Sequence, residues 1–212
     1  MIKTPKFWYN NNISSIIIAL ALYPLSIIWI IISFIKKNFN KPYKSKLKVI
    51  CVGNLNIGGT GKTPFTIYTY KILKKLGYKP IFLTRGYKGL EKGPVKVRPD
   101  HNFNDVGDEA LLLSKVGPTV VSANRSLGAK FIEGLKNNYN VILMDDGLQN
   151  NTLEQDIKLL LVDKKLKFGN EFCFPSGPLR EPTKQGLENI DAIILTGNDK
   201  KFINYNDKFN HK

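Results

Sequence analysis

The stretch NLNIGGTGKTP, residues 54 to 64, follows the apolar run VICV after a single glycine, Gly53, and has the residue types of a phosphate-binding loop. Glycines let successive backbone N–H groups curl around a phosphate chain at a helix N-terminus. Gly58, Gly59, Thr60, Gly61, Lys62 and Thr63 stand where that loop would be. Lys62 would bring charge to the β and γ phosphates, and the Thr63 hydroxyl would ligate Mg²⁺. The strict pattern places glycine at position 56, where this chain has Asn56, so it is the strand-loop-helix context that supports the reading.

Such a loop needs a carboxylate for its metal at the end of a neighbouring strand, and VILMDDG offers Asp145 and Asp146. Asp163, ending LLLVD, has the same local form without the second acid, and for it a structural role is equally consistent. In GDEALLL, Asp108 and Glu109 open an expected helix, where the helix dipole alone favours acids. A kinase also needs a carboxylate beside the acceptor hydroxyl, and Asp108 is a candidate for that role. Arg85, Arg125 and Arg180 fall in loops after expected strands, the edge at which α/β ligands bind. Together they suit an acceptor that itself carries phosphate.

These residues require a scaffold of alternating elements. KVICV, PIFLT, TVVSA, VILMDD, IKLLLVD and AIILTG read as strands, with helices expected over PFTIYTYKILKKLG, DEALLLSKV and SLGAKFIEGLKNN. Continuous rather than alternating apolar runs indicate strands buried on both faces, hence an α/β fold with a mostly parallel sheet flanked by helices. Pro64 suits the first turn of its helix and Gly77 its stop.

Ahead of this lies a segment without formal charge from Ile13 to Ile35, long enough as a helix to reach across a hydrocarbon layer of about 30 Å. Pro24 should kink it, and its serines leave an interfacial placement open beside a spanning one. Lys36, Lys37, Lys41, Lys44, Lys46 and Lys48 follow, against Lys3 and Lys6 before it, so a spanning helix would leave its C-terminal side cytoplasmic. A cleaved leader is disfavoured because the apolar run continues well past the ALA at residues 19 to 21. The net charge of +15 favours anionic partners, and the lysines beside the apolar helix point to anionic headgroups rather than nucleic acid. Two cysteines, Cys51 and Cys173, support neither a disulfide framework nor a zinc site. The expected organisation is a membrane helix and basic linker over 1–46, a phosphate-loop domain over 47–198 and a disordered tail over 199–212.

The ordered set FWY before an apolar helix, GNLNIGGTGKTP, LTRGYKG, GDEALLL, ANR, MDDGLQ and SGPLREP resembles the tetraacyldisaccharide 4'-kinase family of lipid A biosynthesis. The resemblance runs from about Phe7 to Pro182 and implies a P-loop NTPase-like fold. It also implies ATP- and Mg²⁺-dependent phosphorylation of the 4'-hydroxyl of a tetraacyl disaccharide 1-phosphate, at the cytoplasmic face of a bacterial inner membrane. By motif, Lys62 and Thr63 would carry nucleotide and metal, Asp108 would be the base, Asp145 and Asp146 would serve metal and phosphates, and Glu109 and Glu181 would support the site. Arg85 and Arg125 would contact phosphate. The family's GDEP is GDEA here and its DDGF is DDGL. Family members are expected to continue into a second lobe bearing a histidine that acts with the base, whereas His101 and His211 stand in no matching context. Two other readings are a remnant that binds nucleotide and membrane without catalysis, and a partitioning-type ATPase. The latter has a lysine before the paired glycines, where this chain has Ile57.

Overall fold

The protein is described here by a computed structural model covering residues 4–38, 41–59 and 61–197; Thr60, His211 and the expected tail over 199–212 lie outside the described residues. Strands β1 (Lys48–Gly53), β2 (Pro80–Thr84), β3 (Val95–Lys96), β4 (Thr119–Val121), β5 (Val141–Asp145), β6 (Ile157–Asp163) and β7 (Ala192–Thr196) form one sheet in the order β3-β4-β2-β5-β1-β6-β7. All pairings are parallel except that of β3 with β4. Residues of one strand alternate between two cores, as expected for strands buried on both faces. Val49 and Cys51 meet Ala129 and Ile132 on one side, while Ile50 and Val52 meet Tyr70, Leu73 and Leu113 on the other.

The helices are α1 (Ile13–Asn38), α2 (Lys62–Lys75), α3 (Phe103–Val106), α4 (Asp108–Ser114), α5 (Arg125–Glu133) and α6 (Thr183–Leu187). Helix α2 begins on the glycine loop and ends where Gly77 takes φ 84°, with the Tyr78 N–H donating to the Leu73 carbonyl at 3.0 Å. Helix α5 is shorter than the sequence suggests, because its ladder stops at Gly134. Sequence patterning did not anticipate β3, α3 or α6, which are too short to show a period.

Helix α1 carries its least exposed side chains at Ser15, Ala19, Leu22, Ser26, Ile30 and Ser33, three or four residues apart on one stripe. The Ser26 hydroxyl donates to the Cys173 carbonyl at 2.8 Å, and the Ser176 hydroxyl donates to the Ala19 carbonyl at 2.8 Å. Tyr23 and Trp29 meet Phe172 and Phe174 edge-on, and the Asn151 amide reaches the Lys36 carbonyl. Docking thus runs along most of the helix, while Ile17, Leu20, Leu25, Ile28, Ile31 and Ile35 remain exposed. Among the described residues this is the one helix long and apolar enough to cross a membrane. The segment after it is fastened to the body: Tyr43 and Ser45 donate to Glu133, Lys44 pairs with Glu154, and Lys48 pairs with Asp156 at 2.8 Å.

Candidate phosphoryl-transfer site

Pairing β5 directly against β1 brings Val52 level with Asp145, so the glycine loop and the acidic pair emerge side by side at the C-terminal edge of the sheet. Gly61 precedes α2 at φ 79°, and a Cβ at Gly59 or Gly61 would meet nothing within 4 Å, which leaves open space over the loop. The Lys62 ammonium donates to Asn54 Oδ1 at 3.0 Å and lies 3.8 Å from Asp146. Burial pushes its pKa below the usual lysine range, opposed by the Asp146 charge.

Asp145 is 1% exposed and accepts hydrogen bonds from Thr66 (2.8 Å) and Thr63 (3.2 Å). Burial pushes its carboxyl up to about 6, against the pull of the Thr66 bond and with Glu109 and Asp146 adding repulsion. Asp146 takes the left-handed conformation at φ 51°, its N–H donating to the Val52 carbonyl at 2.9 Å. Arg180 grips its carboxylate with two bonds of 2.8 and 3.1 Å. Burial raises the Asp146 pKa, but the Arg180 and Lys62 charges outweigh it and hold the carboxyl below the usual range. Two neighbouring carboxylates are therefore driven in opposite directions, a pattern of sites with divided roles.

Thr63 and Asp145 present hydroxyl and carboxylate oxygens side by side, a donor set that fits a Mg²⁺ ion, and a cation there would offset the buried charge. Arg125, 3% exposed, donates to the Ser122 carbonyl at 2.6 Å, while its buried Nε has no partner among the described residues. Burial, then the Arg85 charge, bring its pKa down to about 10.

The other expected site residues divide. Glu109 is half-buried and within the field of Asp146, Lys62 and Arg180; burial and then Asp146 push its pKa up. Asp108 is exposed at the start of α4, as is Arg85 at the end of β2. Glu181 accepts from the Gln149 amide at 3.1 Å. Asp163 accepts the Lys165 and Leu166 N–H groups and so fastens a turn, the structural alternative. His101 lies in the turn before α3, beside Arg98. Sequence reasoning missed the Asp146 contact of Arg180 and the parts played by Asn54, Thr66 and Gln149. The Gln149 amide donates to the Asn54 carbonyl at 3.1 Å while its oxygen accepts from Arg180 at 3.0 Å. Only the placement of Gln149 three residues after the acidic pair hinted at this. A cleft of about 620 Å³ adjoins the site, its wall including Trp29, Ile57, Gln149, Arg180 and Glu181.

The sequence model of the family described as "Tetraacyldisaccharide-1-P 4'-kinase" matches residues 18–211. A protein of Paramagnetospirillum magneticum named tetraacyldisaccharide 4'-kinase is 42% identical over 94% of this chain, and one of Parvibaculum lavamentivorans with the same name is 42% identical over 92%. The chain spans 60% and 57% of the length of those two relatives. A crystal structure of LpxK from Aquifex aeolicus in complex with ATP is similar at a TM-score of 0.73 and 33% identity, covering 84% of this chain and 58% of that one.

Proposed function

From the premise that this chain belongs to the tetraacyldisaccharide-1-P 4'-kinase family, we propose that it transfers the γ-phosphate of ATP to the 4'-hydroxyl of a tetraacyl disaccharide 1-phosphate, a lipid A precursor. The observation that carries this is the convergence of Lys62, Thr63, Asp145, Asp146 and Arg180 at one end of the sheet. In this reading the backbone of Gly58 to Gly61 cradles the phosphates, with Thr60 among them, and Lys62 meets the β and γ oxygens. Mg²⁺ held by Thr63 and Asp145 would neutralise charge developing on the transferred phosphoryl group. Arg180 and Lys62 keep Asp146 ionised and fixed beside it. Arg85 and Arg125 supply cations for acceptor or transferred phosphate. Asp108 takes the hydroxyl proton as the oxygen bonds to the γ-phosphorus and the bond to the ADP oxygen breaks; Glu109 and Glu181 support the site.

The apolar face of α1 brings the domain to its lipid. Because the helix is docked along the body from Ala19 to Lys36, we place it in the plane of the inner-membrane interface on the cytoplasmic side, with those flanking lysines not paired to Glu154 and Asp156 on anionic headgroups. The test is transfer of labelled γ-phosphate to a tetraacyl disaccharide 1-phosphate in detergent, comparing the chain with Lys62→Ala. Lipid product that vanishes with Lys62 is expected. ATP binding without any product would overturn the kinase reading and leave a nucleotide- and membrane-binding protein.

A further inference from the structure

The segment that carries Arg180 is held between α1 and the phosphate loop. On the loop side, the Arg180 N–H donates to the Leu55 carbonyl at 2.8 Å and the Ile57 N–H to the Pro178 carbonyl at 2.7 Å. On the α1 side, the Trp29 indole N–H donates to the Arg180 carbonyl at 2.9 Å. Farther along the same segment, Ser176 is tied to Ser26 and Ala19, and the Trp8 indole N–H reaches the Pro175 carbonyl at 3.0 Å. Trp29 is thus a side chain of the membrane-facing helix bonded directly to the backbone of the residue that clamps Asp146. Although 37% exposed, it stands edge-on to Phe174 at 5.2 Å, so its ring orientation is fixed by packing as well as by the hydrogen bond.

We propose that Trp29 is a positioning residue for phosphoryl transfer, its indole N–H holding the Arg180 backbone so that the Arg180–Asp146 clamp depends on the seating of α1. The proposal rests on the kinase reading for its rate consequence and on the geometry alone for the coupling. Bidentate contacts tolerate little misplacement, since a shift of about 1 Å at a reacting centre costs on the order of a hundredfold in rate. Loss of one backbone tether is a milder change.

Trp29→Phe keeps an aromatic ring beside Phe174 and removes the N–H together with part of the indole. The control is Trp8→Phe, which removes the same type of bond to the same segment, five residues before Arg180. In the full chain in detergent, Trp29→Phe is expected to lower kcat for lipid phosphorylation about tenfold with KM for ATP unchanged. Hydrogen exchange at the Arg180 amide should accelerate in Trp29→Phe and hold its wild-type rate in Trp8→Phe. Trp8→Phe should keep kcat within about twofold. Unchanged exchange at Arg180 in Trp29→Phe, or equal loss of kcat in both variants, would overturn the proposal. If the wild-type chain phosphorylates no lipid, the kinase reading fails, and the exchange comparison still decides whether Trp29 holds Arg180.

Discussion

Asp145→Asn should make the metal-free protein more stable at neutral pH while removing the ligand proposed above for Mg²⁺. The Asp145 carboxyl rises from 3.8 to about 6 in the folded chain. At about 1.4 kcal/mol per pH unit, that shift corresponds to roughly 3 kcal/mol of strain when the group is ionised. Because the folded pKa is raised, the folded state holds the proton more tightly than the unfolded state. Its stabilising contribution is therefore present below about pH 4 and lost as pH rises through about 6. Asparagine has no charge to bury but cannot accept from both Thr63 and Thr66, a loss of about 1 kcal/mol. Thr66 has a second acceptor in the Lys62 carbonyl at 3.0 Å, which softens that loss. The variant should be slightly less stable than wild type near pH 4 and about 2 kcal/mol more stable at pH 7 and above, or roughly 4–8 °C in Tm. Thermal melts in detergent with EDTA across pH 4 to 8 measure the gap. Adding Mg²⁺ and ATP should raise the wild-type Tm and leave the variant nearly unmoved. A gap that stays constant across this pH range would refute burial of an ionised Asp145 as the source of strain.

Arg180→Lys keeps the charge but not the two-pronged grip on Asp146, and kcat for phosphoryl transfer should fall about 10- to 100-fold by steady-state kinetics, with ATP affinity changed only a few-fold. Gly107→Ala should cost at least about 2 kcal/mol by the shift in denaturation midpoint. The reason is that Gly107 sits at φ 85° and a Cβ there would run into the Tyr87 carbonyl.

The parts of the site that could be read in advance are those whose chemistry is local in the chain. Six consecutive residues carry the glycine loop and its lysine, and two adjacent ones carry the acidic pair, so strand-loop-helix context sufficed to place both at one edge of the sheet, where the structure has them. Arg180 could be counted among the loop cations, but its partner could not be known. Asp146 lies 34 positions earlier, and the contact exists only because the segment after β6 folds back against Leu55. The two aspartates looked equivalent in the sequence. Strand β5 ends between them, leaving Asp145 in the sheet with two threonines and turning Asp146 left-handed toward Arg180 and Lys62. Helix α1 shows the opposite limit. A nearly unbroken apolar run offered no face to choose, yet Ser15, Ala19, Ser26 and Ser33 fall on the one stripe turned toward the body. Small hydroxyl and methyl side chains allow close backbone approach and bonds to main-chain carbonyls, as Ser26 makes to Cys173. A helix that turns most of its serines toward its own domain leaves a largely apolar surface for its surroundings. Ser26, which reads as weak polarity in an apolar segment, thus ties the helix through Cys173 and Ser176 to the segment that leads to Arg180.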